Sequence, residues 1–159
     1  MARPLFPGSF DPPTRGHLDL VERALAMFGQ VLVGVGRNRD KGGLFPVEER
    51  IALLEAELAG RAGVEVRAFD GLVVDFARAS GCDLILRGIR NTRDLEYELD
   101  MARTNRTLAG IETLFLPADP ALASTSSSLL KDIVEGGGDA SPWLSEDVIR
   151  KLRARLGRA

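Results

Sequence analysis

The feature that most constrains this chain is an alternation. Short runs of apolar and β-branched residues recur along it, each followed by a stretch with helical spacing. The clearest run is QVLVGVG at residues 30–36, nearly all apolar, which suits a parallel strand buried on both faces. The same reading predicts strands at 3–6, 64–69, 83–87 and 112–116. Helical stretches are expected at 16–28, 46–59, 72–80, 92–108, 126–135 and 142–156. Strictly alternating elements favour one parallel sheet covered on both sides. The expected fold is therefore α/β, a Rossmann-like doubly wound sheet of five parallel strands with helices on both faces. In such sheets ligands sit beyond the carboxyl ends of the strands, where the strand order reverses. The loops at 7–16, 37–45, 70–73, 87–92 and 117–126 should meet there.

Length and composition narrow the class. At 159 residues, the chain is expected to form a single domain over 1–159, and glycines 136–138 read as a hinge before the last helix. A net charge of −2 argues against a general nucleic-acid binder. No run approaches the ~18–20 apolar residues that cross a bilayer, and the N-terminus lacks a signal-peptide pattern. The single cysteine, Cys82, excludes an internal disulfide and a multi-cysteine metal site, so a cytoplasmic location is expected.

Several motifs are missing. GxxxxGK[ST] is absent, so this is no P-loop protein. Gly34 and Gly36 begin like a dinucleotide fingerprint, but Arg39 stands where the third glycine belongs, and both read better as close-packing positions in a buried strand. Asp94, Glu96, Glu98 and Asp100 alternate with a period of two, which splits them between helix faces and makes no metal cage.

Three motifs hold. PGSFDPPTRGH, residues 7–17, follows the first strand and opens the first helix. A loop turning directly into a helix presents free N–H groups and the positive end of the helix dipole, both of which favour anions. Ser9 adds a hydroxyl, and His17, the only histidine, falls on the first helical turn. By itself, Thr14 before that helix also reads as an ordinary N-cap. Arg87-Gly88-Ile89-Arg90 leaves the fourth strand for a loop, so both guanidiniums can reach the strand ends as phosphate ligands or stand as surface charges. Thr125-Ser126-Ser127-Ser128 places hydroxyls at a helix start, as caps or phosphate ligands.

Together these segments resemble the nucleotidyltransferase superfamily with the T/HxGH motif, and within it the bacterial phosphopantetheine adenylyltransferase family. RGIRNTRDLEYE resembles that family's RGLR-x3-D-x-EYE segment, TSSSLLK its ISSSxVK element, and PVEER at 46–50 its TxEER helix start. Asn105-Arg106 matches its NR pair. Pro46, Thr125, Gly71-Leu72-Val73 and residues 121–123 depart from the usual pattern.

The resemblance implies reversible transfer of an adenylyl group from ATP to 4′-phosphopantetheine, giving dephospho-CoA and pyrophosphate in coenzyme A biosynthesis. It implies His17 and Lys41 as catalytic residues: His17 stabilising charge on the α-phosphate, and Lys41 holding the acceptor phosphate. ATP would be bound by Ser9, Phe10, His17, Gly88, Ile89, Arg90 and Glu98, and by Leu122, Ala123, Ser124 and Thr125. Ser126, Ser127 and Ser128 would meet its β and γ phosphates. The acceptor would contact Ser9, Lys41, Val73 and Arg87. Mg²⁺ would be held mainly through ATP phosphates. A homohexamer, inhibition by CoA, and no nucleic-acid or membrane partner are also implied.

Three other readings stay open on the sequence. One is a superfamily member with another acceptor, such as nicotinate mononucleotide or a cytidylyl-transfer substrate. Another is a class I aminoacyl-tRNA synthetase fragment, opposed by the short length and the absence of KMSKS. The last is a non-catalytic nucleotide sensor.

Overall fold

The computed structural model describes residues 2–37 and 43–157. The elements run β1 (Pro4–Gly8), α1 (Arg15–Phe28), β2 (Val31–Gly36), α2 (Val47–Glu57), β3 (Val64–Phe69) and α3 (Val73–Ala79). They continue with β4 (Leu84–Ile89), α4 (Thr92–Ala109), β5 (Glu112–Pro117), α5 (Ser127–Glu135) and α6 (Glu146–Arg155). The strands form one sheet in the order β3-β2-β1-β4-β5, with every pair parallel. The chain winds outward from β1 to β3, then returns to place β4 on the other side of β1. The order reverses between β1 and β4, so the crevice beyond their carboxyl ends is the expected ligand position.

Alternate strand residues serve opposite faces. Phe6, Val31, Val33, Val35 and Leu86 pack with Leu20, Val21 and Ala24 of α1 and Leu54 of α2. Leu5, Leu32 and Ile85 pack on the other face with Val74 and Ala77 of α3. A Cβ on Gly34 would lie 3.0 Å from Leu5 Cδ1 and 3.1 Å from Phe76 Cε1. The glycines of the second strand thus include a true close-packing position, as the pattern suggested.

A third cluster stands beside the sheet layers. Leu53 on the second face of α2 packs with Leu130 and Val134 of α5 and with Leu144, Val148 and Leu152. The glycine triplet leading there is a hydrogen-bonded turn: Gly136 N–H donates to Asp132 O at 2.9 Å, and Gly138 N–H to Ile133 O at 2.8 Å. Local pairing at both ends makes it a closed turn.

Other boundaries shift for local reasons. β4 extends to Ile89 because the ladder continues through Arg87↔Phe115 to Ile89↔Pro117. Arg87 is thus a strand residue, and only Arg90 lies beyond the strand. The last helix begins at Glu146, not 142, where Ser145 accepts from Val148 N–H at 3.3 Å as its cap. α4 differs most from expectation. Leu95, Leu99 and Ala102 are only half-buried, and the buried positions are Glu98 and Asn105. This helix turns polar side chains inward because it borders the site.

Candidate active site

The loop after β1 is held by interactions that sequence reading did not reveal. Asp11 is buried, and its carboxylate accepts from Leu44 N–H at 2.8 Å and Phe45 N–H at 2.9 Å. Lys131 Nζ of α5 lies 3.3 Å from the same carboxylate. Phe10 follows Ser9 with a positive φ of 49°. Its buried ring meets the imidazole of His17 edge-on at 5.0 Å between centroids. The chain enters α1 through Thr14, whose hydroxyl accepts from His17 N–H at 3.3 Å. The N-cap reading of Thr14 therefore holds.

That cap also orients the imidazole. Thr14 N–H donates to His17 Nδ1 at 3.0 Å, completing a capping box in which His17 takes the place usual for Glu or Gln. With Nδ1 accepting, the neutral ring carries its proton on Nε2. Burial, and then the positive charges of Arg90 and Arg87, lower the His17 pKa from 6.5 to about 4. At neutral pH the ring is uncharged and offers an Nε2–H donor.

Two cavities open at the reversal of strand order. The larger, about 330 Å³, carries Ser9, Phe10, His17, Arg90 and the hydroxyl run 125–128 on its walls. Gly88, Leu122 and Asp94 also line it. A Cβ on Gly88 would stand 2.4 Å from Leu20 Cδ1, so any larger residue there would push the Leu20 side chain aside between β4 and α1. The smaller, about 240 Å³, is mostly apolar: Phe69, Val73, Tyr97, Met101 and Ala102 line it, with polar Asn105 and Thr113. Thr113 Oγ1 is buried without a partner there. Pro7, Gly8, Ser9, Arg87 and Glu98 border both cavities.

Ion pairs set that shared wall. Arg87 Nε donates to Glu98 Oε2 at 2.7 Å, Nη2 donates to Glu98 Oε1, and Nη1 donates to Pro7 O at 2.6 Å. Arg90 holds Asp94 through Nε at 2.8 Å and Nη2 at 3.0 Å, and reaches Thr125 O at 3.0 Å through Nη1. The hydrogen bonds from Arg90 keep the Asp94 carboxyl below its usual pKa. Both arginines line the larger cavity. Across the cavity, Ser126 Oγ caps α5 by accepting from Leu129 N–H at 3.2 Å. Ser127 Oγ donates to Pro12 O at 2.8 Å, tying α5 to the loop after β1.

Most of the expected site residues come together. Ser9, Phe10, His17, Gly88, Arg90, Glu98, Leu122, Thr125, Ser126, Ser127 and Ser128 border the larger cavity. Ser9, Val73 and Arg87 border the smaller one. Ile89 ends β4, and Ala123 and Ser124 lie in the segment before α5; these three do not line either cavity. Lys41 lies outside the described residues. Sequence reading missed Asp11, whose setting in PGSFDP was the only available signal, and that Asn105 turns inward.

Comparisons with known proteins bear on the family and the fold. The cytidylyltransferase-like family profile matches residues 5–133. The phosphopantetheine adenylyltransferase of Frankia alni is 45% identical over 159 residues, covering 98% of this chain and 98% of that protein. That of Cereibacter sphaeroides is 46% identical over 156 residues, covering 95% and 96%. A crystal structure from Vibrio parahaemolyticus, of a protein assigned as a nicotinate-nucleotide adenylyltransferase, superposes with a TM-score of 0.67. It covers 99% of this chain and 96% of its own at 17% identity, a likeness of fold alone.

Proposed function

The chain belongs to the phosphopantetheine adenylyltransferase family, within the cytidylyltransferase-like proteins, and on that premise we propose how its two joined cavities divide the work. The reaction is adenylyl transfer from ATP to 4′-phosphopantetheine, giving dephospho-CoA and pyrophosphate. The observation that carries the division is the shared wall, where an apolar cleft and a hydroxyl-rich cavity meet at Ser9, Arg87 and Glu98.

The apolar cleft suits the pantetheine arm, laid along Phe69, Val73 and Met101. Its phosphate then reaches the wall beside Arg87, whose Nη1 and Nη2 each keep one N–H beyond the bonds to Pro7 and Glu98. The larger cavity suits ATP, with its triphosphate over Ser126, Ser127 and Ser128 at the N-terminus of α5. The α-phosphate comes to rest beside His17 and the Ser9–Phe10 loop. The acceptor phosphate has a second pKa near ~6 and is largely a dianion at neutral pH, so it needs no general base. One of its oxygens bonds to the α-phosphorus while the bond to the β-phosphate oxygen breaks, and pyrophosphate leaves. Catalysis then consists of alignment and of donors aimed at developing charge. His17 Nε2–H is such a donor, already oriented by Thr14. Lys41 would add a cation to the acceptor phosphate, a role that rests on the family resemblance.

Nucleotidyl transfer generally involves a metal ion. We propose Mg²⁺, arriving with ATP and held through its phosphates. Among the described residues there is no group of three or more His, Cys, Asp or Glu side chains fit to hold a metal. Asp94, which lines the same cavity as the hydroxyl run, is engaged by Arg90. CoA, which carries both a pantetheine arm and an adenine nucleotide, could span both cavities as an inhibitor. α4 exposes Tyr97, Met101 and Leu108, and edge strand β5 exposes Leu114. Such a face suits association of copies, and we propose a homohexamer. No described helix is long and apolar enough to cross a membrane. A cytoplasmic location and the absence of a nucleic-acid partner complete the proposal.

The test is pyrophosphate release from ATP and Mg²⁺ with 4′-phosphopantetheine or nicotinate mononucleotide as acceptor. Release with 4′-phosphopantetheine is expected, falling by roughly 10²–10³ in His17→Ala, as loss of one transition-state donor does. Release with nicotinate mononucleotide alone would overturn the acceptor assignment, and near-normal turnover in His17→Ala would overturn the role of His17.

A further inference from the structure

Arg50 lines neither cavity, and no step above uses it. It sits near the start of α2 and is only 6% exposed. A buried guanidinium needs strong hydrogen-bond partners. Here Nε donates to Phe45 O at 3.1 Å, while Nη1 donates to Ser9 O at 2.7 Å and Gly36 O at 3.2 Å. These carbonyls belong to three segments: the entry to α2, the loop after β1, and the end of β2.

The shortest of these bonds bears on the site. The only cis peptide among the described residues is Asp11–Pro12, so the Ser9–Phe10 peptide is trans. In a trans peptide the C=O and the N–H point in opposite directions. With Ser9 C=O drawn to Arg50, the Phe10 N–H faces away from the guanidinium. Phe10 itself has φ 49°, a conformation that non-glycine residues seldom adopt. Surrounding structure must hold such a residue in place. The Phe10 ring also packs edge-on against His17 at 5.0 Å.

We infer that Arg50 is a positioning residue for the phosphate-binding loop: by anchoring the Ser9 carbonyl it fixes Phe10 in its left-handed conformation. That turns the Phe10 N–H toward the polyphosphate and supports the ring against which His17 rests. Among the described residues its three acceptors are all carbonyls, so none of them neutralises the guanidinium beneath the loop. The inference rests on reading the larger cavity as the nucleotide site.

Arg50→Lys and Arg50→Gln test it. Neither can reproduce a planar fork that reaches three carbonyls. In folded protein, quantified by the unfolding transition, kcat/KM for ATP should fall about 10- to 100-fold. The Kd for ATP without acceptor should rise, and the charge kept in Arg50→Lys should restore only part of the loss. A residue that merely stabilised the fold would lower Tm while leaving the kcat/KM and Kd of the folded fraction unchanged, and that result overturns the inference. If neither variant folds, the wild type decides by NMR titration with inorganic pyrophosphate: the Phe10 amide should shift, and an unmoved Phe10 amide overturns the inference. The ATP Kd needs no turnover, so a failure of the acceptor assignment leaves this test readable.

Discussion

The depressed pKa of His17 makes stability depend on pH in a calculable way. The ring titrates at 6.5 in the unfolded chain and at about 4 in the fold. Between those values the unfolded chain binds a proton that the native state refuses, so stability falls as pH falls. The contribution is fully present above pH 6.5 and lost as pH drops through about 4. At 1.36 kcal/mol per pH unit, that interval sets a ceiling of about 3.4 kcal/mol. The ring edge borders an open cavity, which reduces the figure to about 2 kcal/mol. His17→Gln is the reference, because glutamine at the third helical position keeps the capping box with Thr14 and does not titrate. Urea unfolding of both proteins at pH 7.5, 6.5, 5.5 and 4.5 isolates the effect, since the carboxylates common to both cancel. The wild type should lose about 2 kcal/mol relative to His17→Gln between the ends of that series. Parallel stability curves would refute the reasoning, showing that the native ring titrates as it does in water.

Other residues give independent checks. Asp11→Ala strands two N–H groups and a lysine, and should cost about 3 kcal/mol in urea unfolding; an effect below 1 kcal/mol would mean that water replaces the carboxylate. Gly88→Ala drives a Cβ to within 2.4 Å of Leu20 Cδ1 and should cost about 1–3 kcal/mol. Leu20 lines the larger cavity, so if ATP binds there as proposed, that variant should also raise the KM for ATP in steady-state assays. Leu108→Asp places a charge on the exposed face of α4 and should give a smaller particle by light scattering, with its unfolding transition intact.

Much of the site was legible because its signals are local. The run at 30–36 is apolar enough to read as a buried strand, and β2 spans Val31–Gly36. The small-residue loop at 7–17 does pass directly into α1, with His17 on its first turn. The serine run does begin α5 on the same cavity. In each case, neighbouring residues determine backbone conformation and side-chain chemistry together.

What escaped reading was pairing across the chain. Asp11 is tied to residues 33 and 34 positions away and to Lys131, 120 positions away. Arg50 reaches back 41 positions to Ser9. α4 has a weak apolar stripe because it borders the cavity, and no periodicity marks Glu98 and Asn105 as its buried residues. The sequence by itself determined the order and type of elements, the loop chemistry and the family, because each lies in contiguous residues. Only the tertiary structure decided the tautomer and charge of His17, the polar wall joining the cavities and the carbonyl anchor at Arg50. These depend on burial and on distances between segments far apart in the chain, which local sequence does not encode.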